Sequence, residues 1–350
     1  SGGGDDPVYV DDVFSTFLYD GTGDHINTST TSITNGIDLD GEGGLVWIKQ
    51  RSSARNHFLF DTERGATNYI RSDTALAEND ASDTLTAFNS DGFDLGKNAN
   101  TNINTATYAS WTFRKAPGFF DCVTWSGDNT TGRQISHNLG SEPGRILIKN
   151  LSGQNWVVYH RSQGASKYGT LNENDPFSGT SGSTDFFDNT TPTSTHFTIC
   201  GDSSALAPVN ASGATYVAYV FAHDDQSFGT DSDEAIIKCD TYTGNGGTQT
   251  INVGFEPQWV IAKRTNSTGN WNIYDIMRGM AASTDDAVLS ANASSAESAT
   301  VNFLQPTATG FQINTSNGAI NSTSDTYIYI AIRRPHKPPE AATDVFATDS

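Results

Sequence analysis

The chain has 350 residues, 35% of them hydrophobic and 17% charged, which is enough for two to four ordinary domains or one large β body with a real core. Forty acidic residues against twenty basic ones give a formal charge of −20, which repels phosphate backbones and anionic lipid and argues against nucleic acid or a membrane surface as a partner. Gly, Asn, Ser and Thr abound and Met is almost absent, a balance poor in helix formers and rich in turn and strand residues, so the chain is expected to be β-sheet joined by many loops.

In chain order, SGGGDDP reads as a flexible leader without the charged and apolar regions of a signal peptide. Residues 1–14 then form an N-terminal arm. Val8 to Leu18 alternates apolar and polar residues, and its Val8, Val10, Val13 and Phe14 are candidates for a strand donated to a neighbouring subunit. Tyr19-Asp20-Gly21 is an aromatic strand end with a glycine turn, followed by strand-like runs at Leu45–Lys49, His57–Asp61, Gly92–Leu95 and Tyr108–Arg114.

These phrases return. Trp125-Ser126-Gly127 and Tyr242-Thr243-Gly244 match the glycine turn. Arg145–Lys149 and Trp259–Lys263 match the second run, and Trp156–His160 and Trp271–Asp275 the third. His196–Ile199 and Gly310–Ile313 match the fourth, and Tyr216–Ala222 and Tyr327–Arg333 the last. Self-similarity at a period of about 100–115 residues defines repeats, here at 15–116, 117–224 and 225–335. Short strands bounded by Gly, Asn, Asp and Pro are the pattern of a sandwich or jelly roll. The expected fold is therefore all-β, three tandem jelly-roll-like β-sandwich repeats with terminal strand arms. The Pro-Gly linker at 114–119 holds two sandwiches close, and the acidic stretch 222–233 makes a looser second joint. The best helix candidate, 281–298, lacks a 3.6-residue stripe and is expected to be loop with a turn of helix. The Pro-rich tail 336–350 ends in a short strand whose Val345 and Phe346 echo Val13 and Phe14.

The candidate sites are few. Asp38, Asp40 and Glu42 stand at alternate positions and could collect oxygen ligands for calcium, although the full twelve-residue calcium loop is missing. A solvated acidic turn is the default, so no cofactor is expected beyond a structural calcium at that turn. Cys122, Cys200 and Cys239 lack C-x-x-C spacing, which excludes a disulfide framework and a Cys-only zinc site. Asp61 with Arg64 and Asp275 with Arg278 occupy equivalent places, where an arginine beside the carboxylate makes it a poor base and a good turn anchor. Most of the six tryptophans lie in strand motifs where other copies carry Phe, Tyr or Ile, the behaviour of core positions, and one or two are expected to face solvent. Asn27, Asn129, Asn150, Asn189, Asn210, Asn266, Asn292, Asn314 and Asn321 head Asn-x-Ser/Thr triplets and are candidate glycosylation sites, no more numerous than the composition accounts for.

Asn35–Leu39, Phe60–Gly65, Phe88–Phe93 and above all Ala109–Asp121, ASWTFRKAPGFFD, resemble a family of repeat-containing, tail-fibre-like or virion structural proteins of phages of aquatic bacteria and related environmental genomes. The likeness runs from about Val8 to Phe346. It implies extracellular or virion surroundings and a structural or attachment role, and it brings no catalytic residues. The expected function is a non-enzymatic subunit of an extracellular fibre, filament or virion appendage, partnered by itself in head-to-tail strand exchange. The alternative is a module that binds host-surface glycans.

Overall fold

In a computed structural model of the chain, which describes residues 7–23, 30–179, 185–201, 208–281, 286–301 and 303–338, the regular structure is almost entirely antiparallel β-sheet. Three four-strand arrangements share one order. The strand Phe14–Asp20 pairs with Thr107–Arg114, which pairs with Gly44–Gln50, which pairs with Phe58–Asp61. Phe120–Ser126, Thr215–Phe221, Arg145–Asn150 and Val157–His160 repeat that order. So do Ile237–Thr243, Thr326–Arg333, Pro257–Arg264 and Asn272–Asp275. We refer to these as the inner sheets of the first, second and third segments.

Each inner sheet faces a smaller outer sheet. These are Thr31–Thr34 with Gly92–Leu95 and Leu85–Asn89, then Arg133–Ser136 with His196–Ile199, then Gln249–Asn252 with Gly310–Ile313 and Leu304–Thr307. Strands buried on both faces read as near-continuous apolar runs, and Gly44–Gln50 and Arg145–Asn150, buried at every position, carry such runs flanked by the buried polar Lys49, Gln50, Arg145, Lys149 and Asn150. Alternate side chains enter different cores. Val46 and Ile48 pack beneath the first outer sheet, whereas Leu45 and Trp47 join a core shared with Tyr219, Phe221, Trp259 and Ile330 of the other segments. The boundaries near 116 and 224 therefore separate sandwiches without separating cores.

Two expectations change. Residues 7–14 are not a free arm. Val10 and Val13 sit on a single helical turn, Val10–Val13, and Phe14 opens the first inner strand; all three are buried in the shared core, and Val8 packs against it. Phe14 lies 4.9 Å from the Phe113 ring and 6.1 Å from the Trp259 ring. A segment that fills its own sheet and core cannot be donated without unmaking both. Stretch 281–298 contributes strands, Asp286–Ser290 and part of Ser298–Val301, which widen the third inner sheet to six strands; a 3-10 turn, Ile276–Arg278, lies just before it. Asp286–Ser290 lies between Asn272–Asp275 and the edge strand Ser298–Val301, and strands of four or five residues are too short to show a period of their own. Val345 and Phe346 lie outside the described residues.

Candidate functional site

The chemistry-bearing side chains gather where one segment meets the next, and the contacts run in a cycle. Lys49, Lys149 and Lys263 occupy one strand position in the three segments, and none is exposed. Lys49 Nζ donates to Gln50 O at 2.6 Å and to Ser294 O of the third segment at 3.3 Å. Lys149 Nζ donates to Gln154 O and, at 3.1 Å, to Ala75 O of the first. Lys263 Nζ donates to Gly269 O at 2.7 Å and to Asn174 O of the second at 3.1 Å. Burial lowers their pKa values to about 8, 7 and 8 respectively, and a neutral amine still has the two N–H groups that two carbonyls require.

A ring nitrogen four residues before the end of the fourth strand repeats the pattern. Trp156 Nε1 donates to Arg71 O at 2.8 Å, and Trp271 Nε1 to Thr170 O at 3.0 Å. His57 Nε2 reaches Ser290 O at 3.0 Å. Trp47 Nε1 donates to His57 Nδ1 at 2.9 Å, so the proton of this imidazole sits on Nε2 and the ring stands in for an indole. Burial holds the His57 pKa well below its ordinary value, which keeps it neutral.

Two seams carry a matched charge network. At Asp61, Oδ1 accepts from Arg64 N at 3.0 Å, and Oδ2 accepts from Arg64 Nε at 2.6 Å and from the Tyr219 hydroxyl of the second segment at 2.7 Å. Arg64 also donates to Glu78 at 2.8 Å. At Asp275, Oδ1 accepts from Arg278 N at 2.9 Å, and Oδ2 from Arg278 Nε at 2.6 Å and from Trp111 Nε1 of the first segment at 3.0 Å. Arg278 then meets Glu297 at 3.2 Å, and Glu297 binds Arg51 at 2.7 and 2.9 Å. Burial works against the Arg64 charge, but Asp61, Tyr219 and Glu78 more than offset it and hold that guanidinium protonated. A carboxylate that accepts three charge-assisted or neutral donors is tied down as a structural anchor and is badly placed as a general base.

The remaining seam, between the second and third segments, keeps the Lys263 and Trp271 contacts but replaces all four members of the charge network together. His160 stands where the aspartates stand, Gln163 replaces the arginine, Phe177 replaces the glutamate, and Ile330 replaces the tyrosine or tryptophan donor. His160 Nε2 turns to Tyr329 O at 3.3 Å, while burial and Arg145 push its pKa down to about 3. Where the donor is lost, the acceptor is lost with it.

Other predicted residues have local roles. Asp38 Oδ1 accepts from Gly41 N at 2.8 Å, and Glu42 reaches Arg114 at 4.0 Å. No group of three metal-ligating side chains forms among the described residues, so Asp38, Asp40 and Glu42 make a capped acidic turn and not a calcium cage. Asn150, Asn210 and Asn321 are buried and are not glycan acceptors in the folded chain. Asn321 Nδ2 donates to Gly247 O and Thr315 O, and Asn210 Nδ2 to Asp128 and Thr130 O, latching the glycine turns. Asn129, Asn189 and Asn266 are exposed, Asn292 and Asn314 are half-buried, and Asn27 lies outside the described residues. All six tryptophans are buried, and so are the Cys122 and Cys239 thiols. The buried lysines were missed by sequence reasoning, although a Lys closing each apolar run, LVWIK, RILIK and WVIAK, was the available signal.

The profile of a domain of unknown function, DUF7483, matches residues 10–335. The chain belongs to the DUF7483 family. That match opens at the buried Val10 and closes just past the last inner strand, so the DUF7483 unit takes in all three segments and all three seams. No curated protein matches the chain.

Proposed function

We propose that the protein is a non-enzymatic structural module of an extracellular or virion appendage, built as a rigid three-segment ring that attaches through the place where its two ends meet. The observation that carries this reading is the use of the buried ionisable groups. Lysines, aspartates, arginines and histidines with perturbed surroundings, the usual mark of a catalytic centre, are here committed to holding one segment against the next. Head-to-tail strand donation by residues 8–14 is not part of the proposal, because those residues complete the chain's own core. Instead, His336 N donates to Asp11 Oδ2 at 3.2 Å and the His336 ring lies 5.3 Å from Tyr9, so both ends of the described chain leave from one spot.

Antibody labelling of cell-surface and particle fractions from the source organism, with a hydrolase screen on polysaccharides, peptides and esters, tests the proposal. Label on an appendage with no turnover is expected. Saturable turnover abolished by a single side-chain substitution would overturn it.

A glycan-attachment reading keeps one specific observation. A notch of about 280 Å³ between the second and third segments is lined by Asn174, Arg264, Thr268, Asn270 and Asn272, amides and a hydroxyl suited to sugar hydroxyls. Binding on a glycan array that Asn174→Ala removes is the result that would favour it.

A further inference from the structure

The deviant seam holds a charge without a counter-charge. Arg145 occupies the strand position that Leu45 and Trp259 fill in the other segments, directly opposite His160. It is 2% exposed, and its guanidinium carbon lies 4.6 Å from the centre of the Trp271 ring. Both Nε and Nη2 are buried without a hydrogen-bond partner. Arg64 and Arg278, the guanidinium groups of the sister seams, each hold an aspartate and a glutamate. Around Arg145 those acids have become His160 and Phe177, and His160 is neutral. The Cys239 thiol does not replace them, because burial pushes its pKa up to about 12 and its Sγ donates to Ala222 O.

An isolated buried charge is among the costliest features a fold can carry. Cation–π contact with Trp271 offsets part of that cost but leaves two N–H donors idle in a medium where idle donors are expensive. Ile330, smaller by a ring than Tyr219 or Trp111, stands where those side chains reach the carboxylate.

We infer that Arg145 is a binding site for one small monovalent anion of the halide class, which takes the place held by the Asp61 and Asp275 carboxylates in the other two seams. The anion accepts from Arg145 Nε and Nη2 and closes the third seam electrostatically. Its role is to lock the second segment to the third, whatever the ring is attached to, so the inference stands independently of the appendage reading.

The test uses the full chain at pH 7 and constant ionic strength, with sodium chloride or bromide exchanged for sodium gluconate, whose anion is too large to enter. The thermal midpoint is expected to rise with halide and to saturate. Arg145→Leu, the residue of the first segment, abolishes the rise. Should that variant fail to fold, His160→Asp carries the test: a covalently held carboxylate fills the site, so the midpoint in gluconate rises and the halide effect disappears. In bromide-soaked crystals an anomalous peak lies within hydrogen-bonding distance of Arg145 Nε or Nη2. A wild-type midpoint equal in halide and gluconate, a halide effect retained in His160→Asp, or bromide peaks only elsewhere overturns the inference.

Discussion

The buried carboxylates and amines set the energetic character of single residues. Removing one partner of a buried pair strands the other, at a cost of about 3–5 kcal/mol. Asp275→Ala leaves the unexposed Arg278 guanidinium with Glu297 and carbonyls alone. Its unfolding free energy from urea denaturation should fall by an amount of that order, and a loss below about 1 kcal/mol would show the pair to be dispensable. The lysines give a pH signature. Lys149 has a folded pKa lowered to about 7, while the unfolded side chain titrates near its ordinary value. Between those values the unfolded state binds more protons, so this contribution makes stability rise with pH. Above about pH 8.5 the unfolded chain's thiols lose protons that Cys122 and Cys239 retain when buried, which opposes the trend. The rise therefore belongs to pH 7 to about 8.5, where Lys49 and Lys263, lowered to about 8, add to it, and Lys149→Met should make it shallower in denaturation curves collected across that window. An unchanged slope would mean that Lys149 stays protonated.

At the scale of the element, the glycine turns decide how the first strand of each segment leaves its sheet. A Cβ at Gly21, Gly127 or Gly244 would lie 2.0, 2.0 or 2.2 Å from the carbonyl oxygen of Ile103, Ala211 or Ser322. Beside each turn an aromatic pair stacks at 5.0 to 5.3 Å, Tyr19 on Tyr108, Trp125 on Tyr216 and Tyr242 on Tyr327. The hydroxyls of Tyr108, Tyr216 and Tyr327 accept the backbone N–H groups of Ile103, Ala211 and Ser322. Gly244→Ala must push the backbone away from that oxygen and loosen the stack, at about 1–3 kcal/mol. Circular dichroism melts with retained β signal and a lowered midpoint are the expected readout; a midpoint equal to wild type would place slack in the turn that the geometry does not show. The turn, the strand runs and their recurrence were legible in the sequence because each is a local pattern of aromatic, β-branched and glycine residues. The strand Asp286–Ser290 was not, since its five residues are too short a pattern and its place is set by pairing with Asn272–Asp275 and Ser298–Val301.

For the whole molecule, heterologous contacts that run from each segment to the one before it close on themselves after three steps, and a ring that closes has no free end to propagate. The loop at 224–234 is pinned on both sides, by Phe228 pairing with Glu234 and by Gly229 N donating to Val8 O at 2.9 Å. A protease site placed between the exposed Asp231 and Ser232 and then cleaved should leave one particle of unchanged elution volume, parting into two fragments only in denaturant. Separation of the fragments in native buffer would restore the picture of independent sandwiches joined by linkers.

The amino-acid sequence by itself determined the all-β class, the recurring strand phrases and the core role of most of the tryptophans. These depend on residue type and near-neighbour order, and each phrase carries its own copy of the signal. Only the tertiary structure decided that Val10, Val13 and Phe14 belong inside, that Asp38 and Glu42 turn to separate partners, that Asn150 is buried, and that Asn210 and Asn321 are latches. It also decided that Tyr219 answers Asp61 and Trp111 answers Asp275. Those outcomes depend on which strand lies against which across more than a hundred residues. A hydrogen bond from one segment to another leaves its trace in sequence only as a paired loss, visible at His160 and Ile330 once the seam that joins them is known.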